Sequence, residues 1–482
     1  MTAMAVAGAG KGAPGRRIVL GACLLVCLLL GGATQRGLLV DAVLQVTVIG
    51  GSAYVLLGGG TSGAARRGSI LLMLMLMAGG MQLLPLPVSL LELSRPAQLL
   101  PFAAGSPMSP SEVAPISLSV SRTVETVLFA LAPILFFIAA SSLPSGNPSS
   151  LLPFFLIGLF CNLIAASLQY SVSSNATLGD IFGYSVMVGM FANVNHFSTL
   201  VFSSMPLIIH LTFLQGRPAI GSMLLALMLV VLLAAGSRAG MLIGLGVAAI
   251  SVGSLTWRGR VGAATTLVLL ACLVAFAYGA LIHAGARPLD PDFGRREFAT
   301  TTWHAIRDNW IWGTGFGTFD LIYPLYADTK TVNTLYVNHA HNDFLELLLE
   351  GGLPAATLLC FYFATLAMQT FQVTRPPIQR MALLSIIVIL LHSLVDYPLR
   401  TMAIAMTFAF FNALFFSDAK STWTAEDRES KNAGPNLPLP VDRARPPAEA
   451  LNTAVGRGLA WVAGRRRIVV FSATRPTIPS AK

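Results

Sequence analysis

Long apolar runs with few charges constrain this chain more than any other sequence feature. Of its 482 residues, 55% are hydrophobic and 11% are charged. This composition excludes a soluble enzyme, because apolar runs of this length are stable only when a bilayer surrounds them. Only helices or closed barrels satisfy their backbone groups in lipid. We therefore predict an all-α polytopic membrane protein with about 12 transmembrane helices, near residues 18–33, 38–57, 69–91, 123–141, 151–169, 198–214, 219–235, 239–255, 263–283, 344–371, 382–395 and 400–416.

Basic residues predict the orientation of these helices. When the N-terminus is placed in the cytoplasm, most lysines and arginines fall on the cytoplasmic side, as the positive-inside rule requires. The net charge of +10 therefore reflects topology and gives no reason to expect nucleic acid as a partner. We expect a cytoplasmic leader at 1–17, a membrane domain at 18–416 and a disordered basic cytoplasmic tail at 417–482.

A large external loop, residues 284–343, precedes the tenth predicted helix. Its segment Arg295–Asn309 has helical spacing of apolar residues and predicts a short amphipathic helix on the membrane surface. The glycine-rich stretch 313–317 resembles a phosphate-binding loop only weakly, because no strand precedes it and no lysine follows. We favour a tight re-entrant turn here, with Trp310 and Trp312 as interfacial anchors.

The loop ends in His339-Ala-His-Asn-Asp-Phe-Leu-Glu346, which carries the most chemistry in the chain. Asp343 and Glu346 have the spacing of a capping box, so a helix should begin here. The positive end of that helix would keep His341 neutral and able to accept a proton. A metal site from His339, His341 and Asp343 is the alternative, but no other His or Cys pairing supports it, and we expect none. His339 could equally be a hydrogen-bonded loop residue.

Several polar residues are expected on the same face as His341. Guanidinium groups bind phosphate oxygens with two parallel hydrogen bonds, so the cations of this face are candidate ligands for an anionic headgroup: Arg238, Arg295, Arg296 and Arg400. Three further residues are candidates either for contact with an acceptor or for structural hydrogen bonds: Asn195, His196 and Asp396.

With these residues identified, the chain from about 85 to 416 resembles the O-antigen ligase and polymerase superfamily of bacterial membrane glycosyltransferases. The family's His-Asn pair followed by a distant Gly is matched by His341, Asn342 and Gly352, with Ala355 where a second Gly is common. Its Ser-Arg-Gly turn is matched by Ser237 and Arg238, with Ala239 in the last position. Its external arginine corresponds to Arg295 or Arg296.

The resemblance implies a periplasmic active face on a multi-pass protein of the bacterial inner membrane. The donor would be an undecaprenyl-pyrophosphate-linked glycan, and the acceptor a sugar hydroxyl of a glycan or lipid; membrane lipids would be the other partners. Transfer would proceed with inversion and without metal or cofactor. The arginines would hold pyrophosphate, His341 would be the general base, and Asn342 and His339 would orient it or the acceptor.

Other functions remain open at this point. A transporter or flippase for a lipid-linked glycan would also need many helices, although it would place ionisable groups near the middle of the membrane. A non-catalytic assembly subunit would need no base. Within the family, a polymerase, a ligase and a protein O-oligosaccharyltransferase share the same pattern.

Overall fold

A computed structural model describes residues 13–35, 37–58, 62–92, 95–96, 99, 113–143, 147–171, 187–257, 259, 261–286, 294–328, 337–371 and 375–417. Helices dominate these residues: α1 Ala13–Leu30, α2 Leu39–Leu56, α3 Gly63–Gln82, α4 Val88–Glu92, α5 Val120–Ser141, α6 Leu152–Ser171, α7 Val194–Thr212, α8 Pro218–Ala235, α9 Arg238–Trp257, α10 Ala263–Ala286, α11 Arg295–Asn309, α12 Phe319–Tyr326, α13 Asp343–Thr370, α14 Pro377–His392 and α15 Met402–Phe416. The strands β1 Pro85–Pro87 and β2 Val113–Pro115 form a short antiparallel hairpin.

Membrane-spanning character follows from helix length and composition. In the described ranges, 9 helices are long and apolar enough to cross a bilayer, namely α2, α3, α5 to α10 and α13, while α14 and α15 are shorter apolar helices. The predicted all-α multi-pass class is confirmed. Every predicted apolar segment overlaps a helix, whereas the number of true spans, about 12, stays a prediction.

Some boundaries differ from those predicted. Helix α3 ends at Gln82 rather than near 91, and β1 begins at Pro85, because Pro85 and Pro87 have no N–H for a helical hydrogen bond. The predicted helix Arg295–Asn309 is confirmed as α11, and α12 was not anticipated. Residues 1–12 of the expected leader and 418–482 of the expected tail lie outside the described residues.

The most buried span is α7, which positions the site. Its apolar window is 83% buried, against 11% for α10, although α7 carries polar side chains such as Asn195, His196 and Thr199, which find partners inside the protein. Helix α7 packs against α14, and α14 packs against α15. The connection 393–401 between α14 and α15 therefore lies at the end of the most buried helices.

A kink in α13 docks the glycine-rich stretch. Gly352 has φ 53° and ψ −140°, which interrupts the helix and exposes carbonyls that the backbone would otherwise use. The amide of Thr314 donates to Leu349 O at 3.0 Å, and that of Gly315 to Glu350 O at 2.9 Å. A Cβ on Gly313 would lie 2.3 Å from Glu350 O. This confirms a tight turn. Because the amides of Thr314 and Gly315 already donate to carbonyls of α13, they are not available to bind phosphate.

Candidate functional site

His341 occupies an unusual backbone conformation. Its φ is 49°, the only positive φ of a non-glycine residue in the described ranges, and such residues cluster at functional sites. Asn342 follows as the N-cap of α13, with its Oδ1 accepting from the amides of Phe344 and Leu345 at 3.0 Å. The prediction of Asp343 as the cap is therefore wrong by one residue. Glu346 makes no capping box, because its carboxylate turns to His339 and the amide of Ala340.

Asp396 connects the base to a cation. Its side chain is fully buried, and its Oδ1 lies 3.4 Å from His341 Nδ1. Its Oδ2 lies 3.7 Å from Arg295 Nη2, and the amide of Tyr397 donates to Oδ1 at 2.9 Å. Burial alone would raise the pKa of Asp396, but hydrogen bonds and charge from His196 and His341 lower it well below its ordinary value. Asp396 is therefore ionised at neutral pH.

The Asn195 and His196 side chains support this carboxylate from α7. Asn195 Nδ2 donates to Asp396 Oδ2, and Asn195 Oδ1 accepts from Ser237 Oγ at 2.7 Å. His196 Nε2 lies 3.8 Å from Asp396 Oδ1, while its other ring nitrogen contacts Thr401. These contacts tie α7, α9 and the 393–401 connection together. They match the structural alternative for Asn195 and His196, and acceptor contact stays a prediction.

Arg238, Arg295 and Arg296 differ in their placement. Arg295 is partly exposed, with 34% of its side chain accessible, and it approaches Asp396, whereas Arg296 is exposed on the first turn of α11. Arg238 begins α9 directly after Ser237, and it is half-buried. The turn predicted here is confirmed, because α8 ends at a left-handed Gly236. Geometry thus favours Arg295 over Arg296 as the arginine nearest His341.

Arg400 lies in a separate cluster of carboxylates. Asp343, Glu346 and Glu350 fall on one face of α13 by helical spacing. Arg400 Nη2 lies 3.0 Å from Glu350 Oε2, Nη1 lies 3.3 Å from Glu346 Oε1, and Nε lies 4.0 Å from Asp343 Oδ1. Burial lowers the pKa of Arg400, but these three carboxylates raise it above its ordinary value. These contacts are typical of a structural ion cluster, and the phosphate contact of Arg400 stays a prediction.

His339 and Asn342 are also engaged with protein groups. His339 Nδ1 contacts Glu346 Oε1 at 2.8 Å, and its side chain is only 5% exposed. Asn342 Nδ2 donates to Leu394 O at 2.8 Å, so both ends of its amide bind backbone. These two residues shape the loop around His341. The loop-residue alternative for His339 matches this geometry.

Tyr397 was not singled out by sequence reasoning. Its ring stacks on His339 with centroids 4.1 Å apart, and it meets the rings of His341 at 5.0 Å and His196 at 4.9 Å edge-on. Burial, followed by the charge of Asp396, raises the pKa of Tyr397 to about 12, so the phenol is neutral. Its position next to Asp396, in a polar connection between two apolar helices, was the available signal.

The histidines and Asp343 do not converge on a common point. His339 contacts Glu346, His341 faces Asp396, and Asp343 Oδ2 accepts from Ser393 at 2.8 Å. Across the ranges that the structure covers, no group of three His, Cys, Asp or Glu side chains is arranged to hold a metal.

A family model matches the part of the chain that contains several residues of this site. Residues 223–360 match the family model described as O-antigen ligase, and no curated protein matches the chain. The matched segment contains Arg238, Arg295 and His341, while Asn195 and Asp396 come from either side of it. This match supports a general function in the ligation or polymerisation of lipid-linked glycans. This match of residues 223–360 supports the O-antigen ligase and polymerase superfamily that the sequence of this multi-pass membrane protein resembles.

Proposed function

We propose that this protein transfers a glycan from undecaprenyl pyrophosphate to a sugar hydroxyl, at the periplasmic face of the bacterial inner membrane. One observation carries the proposal: the buried Asp396 carboxylate contacts both His341 Nδ1 and Arg295. A candidate base and a candidate phosphate ligand are thereby held on one rigid carboxylate. His341 remains 25% exposed, so substrate can reach it.

The proton path follows from the ring nitrogens of His341. Asp396 faces Nδ1 and favours the tautomer that carries its proton there, which leaves Nε2 to accept one. The acceptor hydroxyl gives its proton to Nε2 while its oxygen attacks the anomeric carbon from the side opposite the pyrophosphate. The bond from that carbon to the phosphate oxygen breaks with its electron pair, so the configuration inverts and lipid pyrophosphate leaves. Asp396 stabilises the imidazolium that forms.

Arginines are suited to the developing negative charge. Arg295 contacts a single carboxylate at 3.7 Å, which leaves guanidinium donors for phosphate oxygens. Arg238 lies at the start of α9, beside the Ser237–Asn195 hydrogen bond that leads to Asp396. Preorganised cations of this kind stabilise a departing phosphate, and we therefore assign the reaction a metal-independent course.

The experiment is a transfer assay with purified protein in liposomes, an undecaprenyl-pyrophosphate glycan and a sugar acceptor. His341→Ala should lower the rate about 10²–10⁴-fold. His304→Ala is the matched control, because His304 is exposed on α11 and should leave the rate unchanged. Both proteins should retain the wild-type melting temperature.

Two further results test the chemistry. Transfer should persist in a chelator, and the product should have the opposite anomeric configuration to the donor. Transfer that survives His341→Ala would refute the general-base assignment, and loss of transfer in chelator would refute the metal-independent course. Movement of glycan across the liposome membrane without transfer would identify a transporter instead.

A further inference from the structure

An apolar cavity lies among the helices and extends away from the Asp396 site. Its volume is about 350 Å³, and it is lined by residues of α3, α5, α13 and α15, with Leu390 of α14 and Leu399 of the 393–401 connection. Along α13 the lining residues lie on both sides of the Gly352 kink, from Asp343 near the start of the helix to Thr365 near its end. Helix α13 is long and apolar enough to cross a bilayer. The cavity therefore follows this helix away from its His341 end.

Two arginines mark the end of the cavity that lies away from His341. Arg67 lines the cavity near the start of α3, and its guanidinium carbon lies 5.4 Å from the ring centroid of Phe416. Arg375, beyond the far end of α13, lies 4.5 Å over the ring of Phe415. The two phenylalanine rings are adjacent, with centroids 5.0 Å apart. The arginines thus form a cationic mouth, Arg67 and Arg375.

The charge of this mouth is not neutralised by the described part of the chain. The ion pairs between described residues include neither arginine. Arg375 Nη1 donates to Gln379 Oε1 at 3.1 Å and to Phe415 O at 3.4 Å, but Arg67 Nε and Arg375 Nε and Nη2 are buried atoms without a hydrogen-bond partner. Leaving buried donors unsatisfied is costly, and two like charges repel. A bound anion would remove both costs.

We propose that the cationic mouth binds the phosphate of an anionic phospholipid, with an acyl chain of that lipid in the apolar cavity. Guanidinium groups match phosphate oxygens, and the aromatic and aliphatic lining matches hydrocarbon. This lipid belongs to the membrane leaflet opposite His341, because Arg375 follows the end of α13 farthest from that residue.

Charge distinguishes this occupant from the tail of a glycan donor. A polyprenyl chain entering from the other end would bring its pyrophosphate to Asp343, which lines that end. Asp343 shares Arg400 with Glu346 and Glu350, and because three carboxylates surround this one cation, the net charge at that end does not favour pyrophosphate. The two arginines attract phosphate at the opposite end.

The test is lipid retention by the full chain. Protein in nanodiscs of equal phosphatidylglycerol and phosphatidylcholine is extracted into detergent, and retained lipids are identified by native mass spectrometry. Wild type should retain phosphatidylglycerol in preference. Arg67→Gln and Arg375→Gln should each lower the retained ratio about fivefold, the effect of one surface cation on an anionic lipid. Arg66→Gln, at an exposed neighbour, should have no effect.

A second variant tests the cavity itself. Leu358→Trp places a larger ring in the lining and should abolish retention while the arginines remain, which decides the question even if an arginine variant misfolds. Equal retention of the two lipids by wild type would overturn the proposal, as would an equal loss in Arg66→Gln. Displacement of the lipid by polyprenyl pyrophosphate would assign the cavity to the donor. Glycan transfer is measured in a separate assay. If no transfer is found there, the result of the lipid-retention experiment still stands.

Discussion

Asp396 and Glu346 are two fully buried carboxylates, and each contacts both histidine and arginine side chains. Asp396 meets His341 and Arg295, whose side chains are 25% and 34% exposed. Glu346 meets His339 and Arg400, which are 5% and 17% exposed. The residue types are the same, but only the Asp396 group opens to a substrate. Exposure of the partners therefore separates a candidate reaction site from a structural ion cluster.

Charge balance separates the two groups as well. Arg400 is shared by three carboxylates, so its donors are committed to the protein. Arg295 approaches one carboxylate at 3.7 Å, beyond hydrogen-bond distance. A cation that a protein already neutralises is a poor ligand for phosphate, so we expect Arg295 rather than Arg400 to bind it.

The largest expected effect is a loss of folding stability at the Glu346 group. Arg400→Gln leaves buried carboxylates without their cation, and such changes cost about 3–5 kcal/mol. The melting temperature in detergent should fall by several degrees, with Arg296→Gln as the exposed control. A variant that melts like wild type but no longer binds donor would show that Arg400 binds phosphate. The Glu346 group would then not be a purely structural ion cluster.

The next largest expected effect is a loss of transfer rate at the Asp396 group. Asp396→Asn removes the negative charge that stabilises protonated His341, a charged hydrogen bond worth about 1.5–3 kcal/mol. The rate of glycan transfer should fall about 10- to 150-fold. An unchanged rate would show that Asp396 does not position the base.

The stability of Asp396→Asn relative to wild type should also depend on pH. The pKa of Asp396 is lowered below its ordinary value of 3.8, so its contribution to stability is complete above that pH and is lost as pH falls below it. The melting-temperature difference between wild type and Asp396→Asn should be constant from about pH 8 to 5 and should shrink below about pH 4. A difference that changes near neutral pH would contradict the ionised state.

Arg295→Gln sharpens the choice between neighbouring arginines. Loss of one charge-assisted contact to pyrophosphate should lower kcat/KM about tenfold. Arg296→Gln should remain within about threefold of wild type, as for an exposed charge. Steady-state kinetics with varied donor would measure both, and the reverse order would exchange their assignments.

The smallest effect is expected at Tyr397, a positioning residue. Replacing its ring by leucine removes aromatic contacts worth about 0.5–1.5 kcal/mol, so kcat should fall about two- to tenfold while KM for the acceptor stays constant. Tyr397→Phe keeps the ring and should restore kcat. A change in KM alone would instead indicate contact with the acceptor.

Local patterns predicted much of this protein. Apolar runs predicted the helices because burial in lipid requires them, and the spacing in 295–309 predicted α11. His341 was identified from its motif and the nearby helix start. The exact cap was missed because Asn342 and Asp343 are both good N-cap residues, and only the backbone shows which one accepts the amide hydrogen bonds.

The sequence by itself determined the membrane class, the helix segments and the residue types available for chemistry, since these depend on composition and on neighbours along the chain. Only the tertiary structure decided which carboxylate each cation meets. Asp396 and His341 are distant in sequence and come together because the start of α13 is hydrogen-bonded to the 393–401 connection, where the amide of Asp343 donates to Ser393 O at 2.9 Å. Arg295 and Arg400 look alike in a sequence, and their different roles depend on how many buried carboxylates surround each one.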